Sequence, residues 1–149
     1  MKPKVLLLSL SLLLGISGAV AEEKTSDTLI LKDTKHLLIW QDQSYTKKEL
    51  DAYKEDYNKG KVGNWGYADQ YCRALVLNGY SNWRLPTKEE LLTNYKEKCQ
   101  FNSGNAHSYW SSTPGDEEEK HYAVYFRTGD VNAFDDVVHY YIRCVHSTK

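Results

Sequence analysis

The stretch Gly79–Leu91, GYSNWRLPTKEEL, has the most closely spaced structural signals in this 149-residue chain. A residue that precedes proline is biased toward an extended backbone, so the segment ending at Leu85, before Pro86, is expected to be extended. Thr87 and Glu90 have the spacing of a capping box, in which hydroxyl and carboxylate each satisfy a free backbone N–H at a helix start. The stretch therefore predicts an extended segment followed at once by a short helix.

A β-hairpin and two further helices are predicted before this stretch. Thr28–Leu31 and His36–Trp40 are short apolar runs around a turn-like spacer, which is typical of a strand–turn–strand unit. Thr46 and Glu49 form a second capping box, and Asn64 is placed to cap the next helix. The chain up to Gly79 is therefore expected to be a hairpin followed by two helices.

Helical spacing indicates which residues of these two helices should face the interior. The stripe expected on the first helix, which should end near residues 58–60, consists of Leu50, Tyr53 and Tyr57. The shared face expected on the second helix consists of Trp65, Ala68, Cys72, Leu75 and Val76. Asn78-Gly79 is expected to end the second helix, because glycine adopts the left-handed conformation readily.

The last third of the chain is rich in strand signals. Ser108–Thr113 should be a strand that ends at Pro114-Gly115, and Thr128-Gly129-Asp130 has the composition of a hairpin turn. In Val137–Val145 alternate residues should share a face, and the face that we expect to be buried consists of Tyr140, Ile142 and Cys144. Early strands, then helices, then a block of strands indicate an α+β fold.

The N-terminus has the pattern of a secretory signal peptide. Lys2 and Lys4 precede an apolar run that ends in Ala19-Val20-Ala21, an A-x-A cleavage pattern. The alternative, a membrane anchor, is disfavoured because the uninterrupted apolar run is shorter than the ~20 residues that span a bilayer. We expect residues 1–21 to be the signal peptide, 22–27 a flexible lead-in and 28–149 a single exported domain, in the periplasm or at the cell surface.

Composition excludes several classes of protein. The net charge of −1 becomes −3 if Lys2 and Lys4 are removed with the signal peptide, so a basic nucleic-acid binder is not expected. The length allows no second large domain, and no second apolar segment is long enough to span a membrane.

Three cysteines follow the predicted cleavage point: Cys72, Cys99 and Cys144. Export permits a disulfide, and three cysteines allow three different single bridges with one thiol left over. Composition does not choose between them.

Four groups of residues, in order, resemble one bacterial family. They are Asp33 with Leu38–Asp42; Trp65, Ala68, Tyr71, Cys72 and Leu75 with Gly79–Thr87, Glu90 and Leu91; Tyr109–Thr113; and Arg143–Val145. Together they are similar to the C-terminal domain of Lcl-type bacterial collagen-like proteins, over Lys32 to His146. The resemblance implies a C-type-lectin-like fold, with two or three helices on a twisted antiparallel sheet, long loops and one core disulfide. That disulfide joins the first core helix to the last strand, here Cys72 to Cys144.

If Cys72 and Cys144 pair, Cys99 is the remaining cysteine. It would then be a buried inert thiol, a surface thiol that forms an intermolecular disulfide and hence a dimer, or a nucleophile. The nucleophile is the least favoured of the three interpretations.

The segment Tyr109, Trp110, Ser111, Ser112 and Thr113 is the candidate ligand contact. Aromatic rings beside hydroxyl groups suit a sugar, because the rings provide a flat apolar surface and the hydroxyls exchange hydrogen bonds at its edge. The alternative interpretation is that the same residues fill a core strand. Similarly, the Trp83–Thr87 segment is interpreted as structural, with Arg84 bound to a carboxylate or to backbone carbonyls.

Metal and catalytic motifs are not found. The five histidines lack zinc-site spacing, and the tripeptides of calcium-dependent lectins are absent, so Asp130, Asp135 and Asp136 are interpreted as solvated acids. The acidic run Asp116–Glu119 is likewise interpreted as a solvated loop. No cofactor is expected, and catalysis is disfavoured.

We therefore expect an exported, non-enzymatic binding module that recognises a carbohydrate or another cell-surface ligand, as an adhesin does. The alternative is a structural or assembly factor of the cell envelope that binds another protein. Some family members bind polyanionic host sugars, but this sequence has no collagen repeat and is mildly acidic, which opposes attraction to a sulfated polymer. A local basic patch would have to come from Lys47, Lys48, Lys54, Lys59 and Lys61.

Overall fold

The structure, a computed structural model, describes residues 29–98, 101 and 107–149. The predicted signal peptide, the lead-in and Cys99 lie outside the described residues. The described elements, in chain order, are β1 Ile30–Asp33, β2 Leu38–Gln41, α1 Lys47–Glu55, β3 Val62–Gly63, α2 Trp65–Ala74, α3 Lys88–Lys96, β4 Ser108–Pro114, β5 Lys120–Tyr125, β6 Asp130–Asp135, β7 Tyr140–Tyr141 and β8 Val145–Ser147.

The strands form two sheets. A three-stranded antiparallel sheet has the order β1-β2-β8, so the first and last strands both pair with β2. A five-stranded sheet has the order β3-β7-β4-β5-β6 and is antiparallel except between β4 and β7, where Tyr109 pairs with Tyr141 in parallel. The α+β class, the early hairpin and the β5–β6 hairpin around Gly129 are confirmed.

The Gly79–Leu91 stretch folds as its sequence indicates. Arg84 exchanges two backbone hydrogen bonds with Val145, at 2.9 and 2.8 Å, so the segment before Pro86 is extended against the C-terminal chain. Thr87 and Glu90 form the reciprocal capping box at the start of α3. The Arg84 guanidinium binds both carboxylate oxygens of Glu90, at 2.8 and 2.9 Å, which makes the arginine part of the same corner.

Side chains pack into two hydrophobic clusters. One is centred on Trp40, Tyr109 and Phe126, and the other on Trp83, Leu85 and Trp110. The predicted alternation near the C-terminus is confirmed: the side chains packed in the second cluster are Tyr140, Ile142 and Cys144. Their neighbours Tyr141 and Val145 belong to the first cluster. This last segment thus separates the two halves of the core.

The disulfide joins Cys72 of α2 to Cys144, which immediately precedes β8. Both cysteines are fully buried, and their Cα atoms lie 5.5 Å apart. The pairing implied by the family resemblance is confirmed.

The interior faces expected for α1 and α2 are corrected in part. On α1 the buried residues are Glu49 and Ala52, whereas Tyr53 and Tyr57 are 38% and 41% exposed. The helix ends at Glu55, so Tyr57 lies beyond it. On α2, Ala68 and Cys72 are buried as expected.

The end of α2 also differs from the expectation. Leu75 already has an extended backbone, with φ −68° and ψ 131°, so Val76 falls outside the helix and is 72% exposed. Asn78 and Gly79 both have positive φ, at 51° and 79°, and form a turn between the bridged residues Leu77 and Tyr80. Asn78 and Gly79 therefore form a turn after the helix, and the helix itself ends earlier, at Ala74.

One lysine of the expected basic patch is buried. Lys61 is 5% exposed, and its ammonium lies 2.9 Å from a carboxylate oxygen of Glu49, itself 6% exposed. The Glu49 carboxylate also accepts the backbone N–H of Lys61 at 2.8 Å and that of Thr46 at 2.7 Å. Lys61 therefore fixes the loop after α1 and is not available to an anionic ligand.

None of the helices in the described part of the chain is both long and apolar enough to cross a bilayer.

Candidate binding cleft

An open cleft of about 510 Å³ lies at the N-terminal end of α2. Three segments meet there: the start of α2, the loop before β5, and the end of β6 with the chain that follows it. The lining residues are Asn64, Trp65, Gly66, Glu118, Glu119, Asp135, Asp136 and Val137. It is larger than two other clefts on the described part of the chain, of about 170 and 200 Å³, and its lining includes a large aromatic side chain.

Trp65 is held in the cleft by three local interactions. Asn64 caps α2 by accepting the N–H of Tyr67 at 2.9 Å, which fixes the first turn of the helix. The backbone N–H of Trp65 donates to the carbonyl of Asp136 at 2.9 Å, and the indole Nε1 donates to the carbonyl of Ser111 at 2.9 Å. The indole thus has a fixed position and a fixed rotation within its own plane.

His121 covers one side of this indole. The two rings are stacked, with centroids 3.5 Å apart and planes 8° from parallel. The imidazole Nδ1 lies 2.7 Å from a carboxylate oxygen of Asp136, whose backbone N–H donates to the carbonyl of Glu119 at 2.8 Å. Asp136 therefore joins all three segments of the cleft.

The charge of the cleft is negative. Four carboxylates line it, from Glu118, Glu119, Asp135 and Asp136. The nearby cation Lys120 pairs with Glu117 at 2.8 Å and lies 3.9 Å from Asp135. Carboxylate oxygens accept hydrogen bonds from hydroxyl and ammonium groups, whereas they repel sulfate and phosphate.

We find no group of side chains suited to a metal ion within the described ranges. Of the three aspartates considered for calcium, Asp135 and Asp136 line the cleft, and Asp130 accepts the hydroxyl of Thr128 at the hairpin turn. The acidic run before β5 is partly a rim of the cleft, since Glu118 and Glu119 line it.

The predicted ligand-contact segment lies mostly inside the protein. Tyr109, Trp110 and Ser111 are each 0% exposed. The Trp110 indole donates to the carbonyl of Gly63 at 2.9 Å, and the Ser111 hydroxyl donates to the carbonyl of Tyr122 at 2.7 Å. Neither ring offers a free face to a sugar, because Tyr109 packs in the first hydrophobic cluster and Trp110 in the second. The structure supports the alternative interpretation, in which these residues fill a core strand.

Ser112 and Thr113 are partly exposed, but both have structural contacts. The N–H of Ser112 donates to the carbonyl of Pro86 at 2.7 Å, and the Thr113 hydroxyl accepts the N–H of Lys88 at 3.0 Å. The strand nevertheless reaches the cleft at one atom, the Ser111 carbonyl that binds the Trp65 indole.

The sequence contains two features that belong to the cleft, but no local pattern links them to each other. Trp65 directly follows a helix-capping residue, which places its side chain at a helix end. Glu118 and Glu119, which line the same cleft, are 53 and 54 positions further along the chain. The register of β5 with β6, which pairs His121 with Phe134, and the backbone hydrogen bond from Asp136 to Glu119 bring His121 next to Asp136. No local pattern gives that register.

A second polar group lies in the core. Arg143 is 0% exposed, donates to the Gln41 carbonyl at 2.9 Å and to Asp42 at 3.3 Å, and lies over the Phe101 ring at 4.3 Å. Burial, together with this cation, lowers the pKa of the His107 imidazole. The arrangement fixes β2 against the C-terminal chain and leaves the cleft as the candidate site.

The described chain is thus a disulfide-linked α+β domain with an open acidic cleft beside the N-terminal end of α2. The family model described as "Lcl C-terminal domain" matches residues 29–146, and the chain belongs to this family. A comparison with curated proteins found no match.

Proposed function

We propose that this protein is an exported, non-enzymatic binding module with a C-type-lectin-like fold, and that it binds a carbohydrate in the acidic cleft. The observation on which the proposal rests is the Trp65 indole, held by α2 and β4 in a cleft of about 510 Å³ lined with carboxylates. The volume is within the range of small-ligand sites.

The lining supplies the two kinds of contact that a sugar needs. An indole provides a rigid apolar surface for the C–H groups of a pyranose ring. Carboxylate oxygens and the Asn64 amide provide acceptors and donors for its hydroxyls. An open cleft of this kind suits the end or the edge of a glycan chain.

The charge of the cleft indicates neutral or amino sugars rather than sulfated ones. Four carboxylates at the site add to a mildly acidic domain, and both disfavour a polyanion. We expect no heparin binding at physiological salt, and retention under that condition would contradict the cleft assignment.

A glycan array probed with the mature, oxidised protein tests the proposal. We expect neutral or amino-sugar oligosaccharides to bind, and Trp65→Ala to weaken binding about five- to thirtyfold, because a stacking aromatic contributes about 1–2 kcal/mol. Tyr57→Ala is the matched control, since Tyr57 is an exposed aromatic residue beyond the end of α1. Equal losses in both variants, or no glycan bound at all, would overturn the proposal.

A protein partner in the cell envelope is the second candidate, and one surface favours it. Tyr53 of α1 and Tyr57, just beyond the C-terminal end of that helix, are both partly exposed, and the Tyr53 ring centroid lies 4.6 Å from that of Tyr141. Burial, with Tyr53 and Tyr109 nearby, raises the pKa of Tyr141 to about 12, so this ring stays neutral. Co-purification of one defined envelope protein, lost in Tyr53→Ala but kept in Trp65→Ala, would favour this second function.

A dimer through Cys99 is part of the same proposal. It predicts a band of twice the monomer mass in non-reducing electrophoresis that Cys99→Ser removes. A nucleophilic Cys99 would instead alkylate rapidly at neutral pH, and slow labelling of the native protein would support the non-enzymatic assignment.

A further inference from the structure

We propose that Asp136 and His121 form a positioning relay for the Trp65 indole, and that this relay makes the cleft respond to pH. The inference deepens the proposed function and rests on it for the ligand, but the relay itself can be measured without one. Its elements are one carboxylate, one imidazole and one indole, joined in that order by a hydrogen bond and a ring stack.

The first step is the orientation of the imidazole. Nδ1 of His121 lies 2.7 Å from Asp136 Oδ1, so the neutral ring places its proton on Nδ1, where the carboxylate accepts it. Asp136 is itself fixed, because its backbone N–H and carbonyl bind Glu119 and Trp65. The imidazole plane is therefore set by the chain segments that form the cleft.

The second step is the orientation of the indole. The imidazole lies 3.5 Å from it and almost parallel, which prevents the indole from tilting, while the Ser111 carbonyl prevents rotation in the plane. An aromatic contact that is already rigid loses little conformational entropy when a ligand binds. Asp136 and His121 thus act through Trp65 and are positioning residues.

The third step is the effect of a proton. Histidine is the side chain that ordinarily changes charge between pH 5 and 8. A protonated His121 forms a cation–π pair with the indole. Its positive charge makes the electrostatic potential of the indole face less negative, and that potential attracts the C–H groups of a sugar. The same proton reduces the negative charge of the cleft by one, so its carboxylates become weaker acceptors for the hydroxyl groups of a sugar. Both effects weaken binding at low pH.

None of the charged groups that we find around His121 is a second histidine. Opposite His121 on the two neighbouring strands are Pro114 and Phe134, which do not titrate. On α2 the nearest charged residue after Trp65 is Asp69, which pairs with Arg73 at 2.8 Å. The remaining charged groups are those of the cleft and its edge: Glu117, Glu118, Glu119, Lys120, Asp135 and Asp136.

Tryptophan fluorescence tests the relay in the protein alone. A protonated imidazole in ring contact accepts an electron from the excited indole and quenches its emission. We expect wild-type emission to fall between pH 8 and pH 5, and Trp65→Phe and His121→Gln each to remove that step. His146→Gln is the matched control, because His146 lies beside Trp83, with ring centroids 5.8 Å apart, and this variant should keep the step. A step that persists in His121→Gln, or that is absent in the wild type, would overturn the relay.

Ligand affinity tests the consequence. For the best oligosaccharide of the array, we expect binding about two- to fivefold weaker at pH 5.5 than at pH 7.5, the range that a cation–π change produces. In His121→Gln the two affinities should be equal. The same pH dependence in that variant would show that another group is responsible.

The two proposals fail differently. If no oligosaccharide binds at either pH, the carbohydrate assignment is wrong, and the fluorescence step alone decides whether the relay exists. If sugars bind and the binding depends on Trp65, but the fluorescence does not fall with pH, the assignment of the cleft as a sugar site is correct and the relay is wrong.

Discussion

Leu37 is a residue whose backbone conformation does not suit its side chain. Its φ is 57°, in the left-handed region, and 43% of the residue is exposed at the turn between β1 and β2. A non-glycine residue in this region has its Cβ too close to the following carbonyl, a strain of about 1 kcal/mol. Asparagine tolerates the conformation better, because its short polar side chain bonds locally.

We therefore predict that Leu37→Asn stabilises the domain by up to about 1 kcal/mol in urea denaturation. Leu29→Asn is the control, since Leu29 is also 43% exposed but has no positive φ. An equal gain in both variants would mean that removing exposed leucine, rather than relieving backbone strain, is responsible.

The buried pair of Lys61 and Glu49 should be far more sensitive than any surface pair. Lys61→Met leaves a carboxylate with 7% side-chain exposure without its cation, so we predict a loss of about 3 kcal/mol. Lys47→Met breaks a pair with Asp51 in which the lysine side chain is 87% exposed, so solvent screens the pair and the free energy of unfolding should change far less. Similar losses from the two substitutions in urea denaturation would contradict the structural role of Lys61.

At the scale of elements, α3 depends on a corner in which one carboxylate has two tasks. Glu90 accepts the backbone N–H of Thr87 at 2.8 Å and binds the guanidinium of Arg84. Burial alone would raise the pKa of Glu90, but the hydrogen bonds from Arg84 and Thr87 outweigh it, and the pKa is lowered. The charged form is therefore favoured in the folded state.

The lowered pKa of Glu90 determines how the stability of the domain depends on pH. A carboxylate with a lowered folded pKa stabilises the protein above its unfolded value of about 4.3, and the contribution is lost as pH falls through the folded pKa. We predict that Glu90→Gln lowers the free energy of unfolding by about 1 kcal/mol at pH 7. Below about pH 4.5 the stability of this variant should fall less than that of the wild type. Glu89→Gln, an exposed residue in the same turn, should follow the wild-type curve when denaturation is measured from pH 3 to 7.

Sequence patterns predicted the elements better than their faces. The two capping boxes, the cap at Asn64 and both hairpins follow from residues within a few positions of each other, and local hydrogen bonds decide them. The interior face of α1 does not follow in this way, because a short helix with a buried ion pair turns Glu49, not Tyr53, toward the core. The polarity of Glu49 and Lys61 alone would have predicted that both side chains lie at the protein surface, whereas both are buried.

The candidate site was predicted less well for the same reason. The motif at Tyr109–Thr113 is conspicuous because a core strand between two hydrophobic clusters needs large side chains on both faces. The cleft instead depends on Trp65, His121 and Asp136, whose proximity is set by strand register and by a backbone contact between α2 and the chain after β6. These are properties of the tertiary structure.

At the scale of the whole molecule, the disulfide connects α2 to the segment that separates the two clusters. It closes a loop with a sequence separation of 72 residues. We predict that Cys72→Ala with Cys144→Ala lowers the free energy of unfolding by about 4 kcal/mol in the chain-entropy account. Urea denaturation with and without reductant measures it, and peptide mapping that finds Cys99 bound to either cysteine would contradict the pairing.

The order β1-β2-β8 also determines how the domain responds to mechanical tension. Ile30 lies at the Gln41 end of β2 and Ser147 at the Leu38 end, so a pull on the two ends of the domain draws β1 and β8 in opposite directions along their axes. The hydrogen bonds of this sheet are then loaded together in shear rather than opened one at a time. Unravelling from the C-terminal end would stop at Cys144, where the force passes through the disulfide into α2.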